Sequence, residues 1–429
     1  MEERRMKLLF QLGTAKIEIT PPTPVPLAGF AARNELGSFQ GVTRPLYARI
    51  FFFQTKEEDG TIRSGLVVAA DLIWWGSERM PALRRAISER WGVAESAIVL
   101  NASHTHSGPM PSDRFTALLG AHDADYIQYL EGRLLEGIEQ ACAGLEPVRM
   151  EQGKGSCQIG VHRRRGGVMR ANPDGPRDEE VNVIRYVRTD GTVKAVMVHY
   201  ACHPVTAREN YVSSEFPGAA MGAVEDALGG QAVAAFLQGC CGDINPYLEG
   251  KFCFGDDSNV GRLGRLLADE VAAILNRPMV PLTPSPIVSN RVELELPLQK
   301  LPEMSDLLEK KGQDDVYGQW SRLLLEHPER LKPELALELT CLRVADGLAF
   351  LAMNGEVVVE YGLFLKRHFQ GTVLPLPYSN GMIGYIPTKL QIAEGGYESV
   401  VSCYYFGMPA SFDPSIEEKI KQAFAGLSV

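Results

Sequence analysis

A chain of 429 residues, 45% hydrophobic and 22% charged, has the balance of a globular protein with a sizeable core. Its formal net charge of −10 argues against nucleic acid or an anionic membrane as the main partner, because both call for basic patches. The 8 cysteines are scattered without a CxxC pair, which excludes a disulfide framework and leaves buried, reduced thiols as the expectation, the vicinal Cys240-Cys241 included.

The N-terminus carries charges and only Leu8-Leu9-Phe10 as an apolar run, well short of the roughly 7–15 residues of an export signal. No segment approaches the ~20 apolar residues of a membrane span, so a cytoplasmic location without stable membrane association is expected. Residues 12–20 read as a first strand, stopped by Pro21-Pro22. Strands follow over 46–53 and 64–72, then a helix over 77–91 and a buried strand, Ala97–Leu100. An amphipathic helix over 123–145 places Ile127, Leu130, Leu134 and Ile138 on one side. Strands are expected over 149–161, 181–187, 194–200 and 232–237, with helices over 218–228 and 259–275. The four prolines of 278–286 read as a linker, and 291–298 alternates as a strand with one solvated face. A charged helical pair over 303–331, strands over 335–344 and 349–353, and helices over 357–369 and 414–424 complete the chain. This alternation predicts an α/β fold of layered sheets flanked by helices. It forms one domain over 1–429, or two lobes joined near 278–286.

Four strand ends carry chemistry. His104 and His106 follow the strand 97–100; in an extended segment residues i and i+2 share a face. Such a pair suits a metal ligand with a catalytic neighbour, or a buried polar pair without metal. His203 precedes Pro204 at the end of another strand, where it either reaches a site beyond the sheet edge or only caps the strand. His199, inside that strand, reads as a core residue. The loop Gln238-Gly239-Cys240-Cys241-Gly242-Asp243-Ile244-Asn245-Pro246 is a tight polar turn. Glu356, opening a helix, either complements the helix dipole or supplies the anionic ligand of a two-His, one-carboxylate zinc site.

Taken together these stretches resemble the catalytic region of the neutral/alkaline (non-lysosomal) ceramidases. The resemblance rests on Gly13-Thr14-Ala15-Lys16-Ile17-Glu18-Ile19-Thr20-Pro21-Pro22 with Leu27-Ala28-Gly29-Phe30, on Ser103-His104-Thr105-His106-Ser107-Gly108-Pro109, on Ala201-Cys202-His203-Pro204 and on Ser214-Glu215-Phe216-Pro217-Gly218. It implies a Zn²⁺ ion held by His104, His203, Glu356 and Tyr385, with His106 as catalytic histidine. It also implies that Tyr397 lies over the reacting carbonyl and that Arg163 faces the substrate, the register among Arg163, Arg164 and Arg165 being open by one. Asn245 stands where the family pattern has a serine, and an amide cannot act as that nucleophile. The family's C-terminal immunoglobulin-like sandwich and export signal are also not seen in the 429 residues. These readings predict a zinc-dependent hydrolase that uses a metal-activated water on the amide bond of a small polar N-acylated molecule rather than ceramide. Alternatives are a glycosidic, ester or lactone bond at the same zinc site, or an inactive ceramidase-like binding protein.

Overall fold

The computed structural model describes residues 8–255 and 257–427; Met1–Lys7, part of the stretch weighed above for an export signal, lie outside the described residues. Among the described residues no helix is long and apolar enough to cross a membrane.

Strands β1 (Leu9–Glu18), β2 (Tyr47–Lys56), β3 (Ile62–Ala70) and β4 (Ile98–Ala102) form one half of the main sheet. The first three pair antiparallel, and helix α1 (Met80–Trp91) carries the chain across so that β4 joins β3 in parallel. Ala48–Phe53 of β2 are buried without interruption, because both faces of this half are covered. Helix α2 (Ala124–Ala143) packs on β1 and β2. Asp123 starts it, its side chain accepting from Tyr126 N at 2.8 Å.

The second half contains β5 (Glu146–Ser156), β8 (Glu180–Arg188), β9 (Val193–Tyr200) and β10 (Val233–Gln238), while β6 (Gly160–Arg165) and β7 (Val168–Asn172) leave it as a hairpin. The expected strand 149–161 is therefore two, broken at Cys157-Gln158-Ile159. Among the described residues the strand pairing between the halves is limited to Gln11↔Pro147 and Leu12↔Glu146, a junction narrow enough for them to face each other. The Tyr186 ring lies 6.0 Å from Phe51 and 5.9 Å from Phe53, and Gln238 N donates to Asn101 Oδ1 at 3.0 Å. Helices α3 (Glu215–Ala227) and α4 (Asp257–Leu275) pack on the second half, α3 against β10 and α4 against β5 and β8. Helix, sheet, sheet and helix layers result, as the alternation of elements implied. Since β10 runs parallel to β9 and meets β4 near the ends of both, the loops leaving β4, β9 and β10 open on one edge.

Strand β11 (Ile244–Leu248) pairs with β6 and with β12 (Lys251–Phe252). The stretch 278–286 is not a linker. It contains β13 (Val280–Leu282), an edge strand that adds to β5 through Val280↔Gln152, and the start of β14 (Pro284–Pro297). Edge strands tolerate proline because no ladder hydrogen bond is lost, so the segment ties two sheets together. Beyond β14 the same sheet continues in order through β15 (Glu334–Ala345), β16 (Leu348–Met353) and β18 (Val373–Leu376). Helices α5 (Met304–Lys310) and α6 (Val316–Glu326) close a small separate core of Leu307, Trp320 and Leu324. The remaining elements are β17 (Glu356–Val357), α7 (Val359–His368), β19 (Tyr385–Ile386), α8 (Lys389–Glu394), α9 (Ser402–Tyr405) and α10 (Ile416–Ala425). One continuous apolar core runs from Phe10 to Phe424. Seven of the cysteines are buried, Cys142 is partly so, and all are free thiols among the described residues.

Candidate metal and catalytic site

Three imidazoles converge at the edge onto which β4 and β9 open. Each is turned by the same device: its Nδ1 meets backbone carbonyl oxygen. His104 Nδ1 lies 2.9 Å from Ile73 O, His106 Nδ1 3.0 Å from Gly29 O, and His203 Nδ1 2.5 Å from Cys241 O. A carbonyl oxygen only accepts, so each Nδ1 carries the hydrogen and a neutral ring presents an unprotonated Nε2. These Nε2 atoms point at one another, with His104 and His106 3.2 Å apart. The pair is brought together differently from the sequence expectation. Strand β4 ends at Ala102, and His104 sits in the left-handed region at φ 67°, so a backbone turn rather than strand alternation aims it. Gly29 completes the approach, since a Cβ there would lie 2.5 Å from His106 Nδ1 and its φ is 98°.

Glu356 closes the group. Its Oε1 lies 2.8 Å from His203 Nε2 and 3.2 Å from His104 Nε2. Strand β17 places it there, through a parallel bridge to Tyr385 of β19. Burial alone would raise the Glu356 carboxyl, but the facing His104 and His203 hold it well below the usual carboxylate range. Burial pushes His203 down to about 4 and, with His104 and His203 as neighbours, His106 well below its ordinary value. With His203 held neutral by burial and donating from Nδ1, its Nε2 lone pair faces the Glu356 carboxylate oxygen, acceptor to acceptor. That arrangement is favourable around a cation and costly without one. Two nitrogens, a carboxylate and a nearby phenol form a donor set that fits Zn²⁺.

Arg163 is the arginine of its triplet that enters this site. Its Nε donates to Glu398 Oε1 at 2.8 Å, Nη1 to Asn245 Oδ1 at 3.0 Å and Nη2 to the Tyr385 hydroxyl at 2.9 Å. Burial pulls its pKa down, yet Tyr385, Glu398 and Glu356 hold it well above the ordinary value, so it stays charged. Burial in turn raises Tyr385 well above 10 against the pull of Arg163. The Tyr397 ring stands at 76° to that of Tyr385, 5.7 Å away. Arg164 turns aside to Glu398 and Gly395 O, and Arg165 reaches the exposed Asp174. All eight residues singled out in the sequence thus share one neighbourhood.

Sequence reasoning missed the supports. Tyr378 stacks on His104 at 4.2 Å, and Trp74 lies over its surroundings at 5.9 Å. Glu398 clamps Arg163 and Arg164 together from a π-helical turn, Tyr397–Val401. Asp243 binds three elements at once: Oδ1 accepts from Val359 N at 2.9 Å, Oδ2 from Gln391 Nε2 at 2.8 Å, and Oδ2 pairs with His162 at 3.1 Å. Its carbonyl accepts from Arg163 N at 2.8 Å. None of these shows in a single chain, because each depends on a partner far away in sequence.

Glu215 offers a separate test of burial near the site. Burial raises its carboxyl from 4.5 to about 7, against hydrogen bonds from Ala207 N and Phe216 N and the charge of Arg33. The folded state therefore holds the proton longer than the unfolded chain. Its stabilising contribution is complete below about 4.5 and is lost as pH rises towards about 7. The denaturant midpoint of the wild type is expected to fall across that window. Glu215→Gln, which keeps an acceptor for Ala207, is expected to flatten the fall; an unchanged slope would show that Glu215 is not its source.

Comparison with known proteins bears on the family and the fold. Residues 10–263 match the family described as neutral/alkaline non-lysosomal ceramidase, N-terminal. A neutral ceramidase from Pseudomonas aeruginosa is 25% identical over 264 residues, a match that spans 58% of this chain and 38% of that protein. The crystal structure of neutral ceramidase from Pseudomonas aeruginosa shares the fold, with a TM-score of 0.75 at 20% identity over 98% of this chain and 74% of that one. A ceramidase complexed with C2 superposes with a TM-score of 0.76 at 18% identity over the same 98% and 74%. The family match reaches His104, His106, Arg163, His203 and Asn245, while Glu356, Tyr385 and Tyr397 lie beyond it and join them only through the fold. On these grounds the chain belongs to the neutral/alkaline non-lysosomal ceramidase family.

Proposed function

We propose that this chain is a zinc-dependent hydrolase that cleaves the amide bond of a small, polar N-acylated substrate. The observation that carries the reading is the set of three carbonyl-anchored imidazoles whose Nε2 atoms converge, those of His104 and His203 on the Glu356 carboxylate and that of His106 on His104. Membership of a ceramidase family supports an amide as the bond cleaved.

His104, His203 and Glu356 would hold the ion, with Tyr385 beside them. Bound there, Zn²⁺ supplies Lewis acidity, which polarises a carbonyl and lowers the pKa of water from about 15.7 to roughly 7. His106 Nε2, left unprotonated because Nδ1 donates to Gly29 O, accepts the proton of the attacking water and returns it to the departing nitrogen. Arg163 and Tyr397 donate to the carbonyl oxygen as it becomes anionic. Asn245 Oδ1 is already engaged by Arg163 Nη1 at 3.0 Å, which leaves its NH₂ group to bind substrate. No acyl-enzyme at this position is required, since water is the nucleophile. The carboxamide in place of the family's serine supports a substrate other than ceramide.

The test is metal content together with turnover. Purified protein is expected to carry one zinc per chain, to lose hydrolysis of N-acetylated amino acids, amines or sugars on chelation, and to regain it with zinc. Protein without zinc, whose activity is untouched by His104→Ala, would overturn the reading.

A further inference from the structure

Beyond the reacting centre, one cation at the margin of the site has no counterpart among the described residues. Arg208 lies in the loop that follows His203-Pro204, is exposed, and makes no hydrogen bond or ion pair there. Some surface arginines close on carboxylates, Arg63 on Glu57, Arg79 on Glu131 and Arg262 on Glu249, while Arg85, Arg170 and Arg265 are unpaired among the described residues but are not held between aromatic rings. Arg208 is instead held between two rings, its guanidinium 3.9 Å from the centre of Phe254 and 5.4 Å from that of Phe30. Phe30 in turn stands 5.1 Å from His106, the group assigned the proton transfers. The free guanidinium is thus one ring away from the reacting centre.

A second guanidinium strengthens the field from below. Arg33 lies 4.7 Å from the same Phe30 ring and is only 3% exposed. Its Nη2 donates to His106 O at 2.8 Å, while Nε and Nη1 find no partner. Two positive charges therefore flank Phe30 in a chain whose net charge is −10. Ring contacts restrain the Arg208 fork and leave its N–H edge free, so little ordering remains to be done when an anion arrives. A planar fork of this kind matches a carboxylate through paired, charge-assisted hydrogen bonds. A neutral lipid amide has no use for it.

We propose that Arg208, set by Phe30 and Phe254, binds a carboxylate of the substrate, which makes that substrate an N-acyl compound bearing an acidic group, such as an N-acyl amino acid. The bond cleaved rests on the amide-hydrolase reading; the anion bound does not.

The experiment compares N-acetyl-glutamate with its two monoamides, N-acetyl-glutamine and N-acetyl-isoglutamine, which remove one carboxylate charge each. Zinc-loaded wild type, Arg208→Met and Arg208→Lys are each assayed for kcat/KM and, separately, for equilibrium binding by calorimetry; thermal melts check folding. Methionine retains the apolar stem between the rings and lysine the charge without the fork. For wild type, loss of at least one carboxylate is expected to lower kcat/KM and affinity by roughly 10- to 100-fold. That preference is expected to collapse to near unity in Arg208→Met and to return in part in Arg208→Lys. Wild type indifferent to both charges, or a preference that survives in folded Arg208→Met, overturns the proposal. If nothing is hydrolysed but binding discriminates and Arg208→Met abolishes the difference, the amide-hydrolase reading fails and the anion site stands.

Discussion

Glu356→Gln is expected to lower amide hydrolysis by roughly 10³-fold or more and zinc content to well below one per chain, without lowering the melting temperature of the metal-free protein. The three parts follow from one contact. In the metal-free protein the Glu356 carboxylate confronts the Nε2 of His203, kept unprotonated by burial, at 2.8 Å, with His104 Nε2 at 3.2 Å. Glutamine offers an NH₂ donor in the same place, so the acceptor-to-acceptor contact becomes a hydrogen bond worth about 1 kcal/mol. A cation loses the anion that neutralises it, and several kcal/mol of transition-state stabilisation go with it. Metal analysis, turnover and calorimetric melting of chelated protein read the three parts separately. A variant that keeps both zinc and rate would remove Glu356 from the ligand set.

The second large effect concerns Arg163. Arg163→Met is expected to reduce kcat by roughly 10²- to 10³-fold, as loss of a preorganised oxyanion donor does elsewhere. The stability cost is expected to be smaller, about 1–3 kcal/mol, mainly from the buried Asn245 Oδ1 left without its donor. Glu398, the other buried partner, keeps Arg164 and is not left as an isolated charge. Arg164→Met provides the contrast. Its guanidinium holds Glu398 and Gly395 O rather than the reacting group, so it should destabilise the turn around Tyr397 with little direct effect on the chemical step. Equal losses of kcat in the two folded variants would show that the pair acts only by holding the turn.

Much of this was legible in the sequence, for identifiable reasons. The buried strands ending at Ala102 and Tyr200 announce themselves as apolar runs, and a polar loop at such an end has few places to go but the sheet edge. His104 and His106 were therefore found as neighbours. Strand alternation was the wrong reason, since a left-handed φ of 67° at a non-glycine residue leaves no mark in sequence. The proline-rich 278–286 misled in the opposite way: prolines that suggest a linker also suit an edge strand, and only the partner β5 decides between them. Arg163 could be separated from Arg164 only by its contacts to Tyr385 and Asn245. Nor could sequence reveal Arg208, because Phe30 and Phe254 reach it from distant parts of the chain.

That dispersal bears on how the proposed zinc would be taken up. His104 lies far ahead of its companions Glu356 and Tyr385 in the sequence. A proposed cation held by all of them would therefore depend on long-range contacts rather than on any one local segment. Contacts so distant in sequence also form slowly. On the proposed ligand set zinc would bind only once β17 and β19 have joined the edge onto which β4 and β9 open, so metal loading would follow the fold rather than template it.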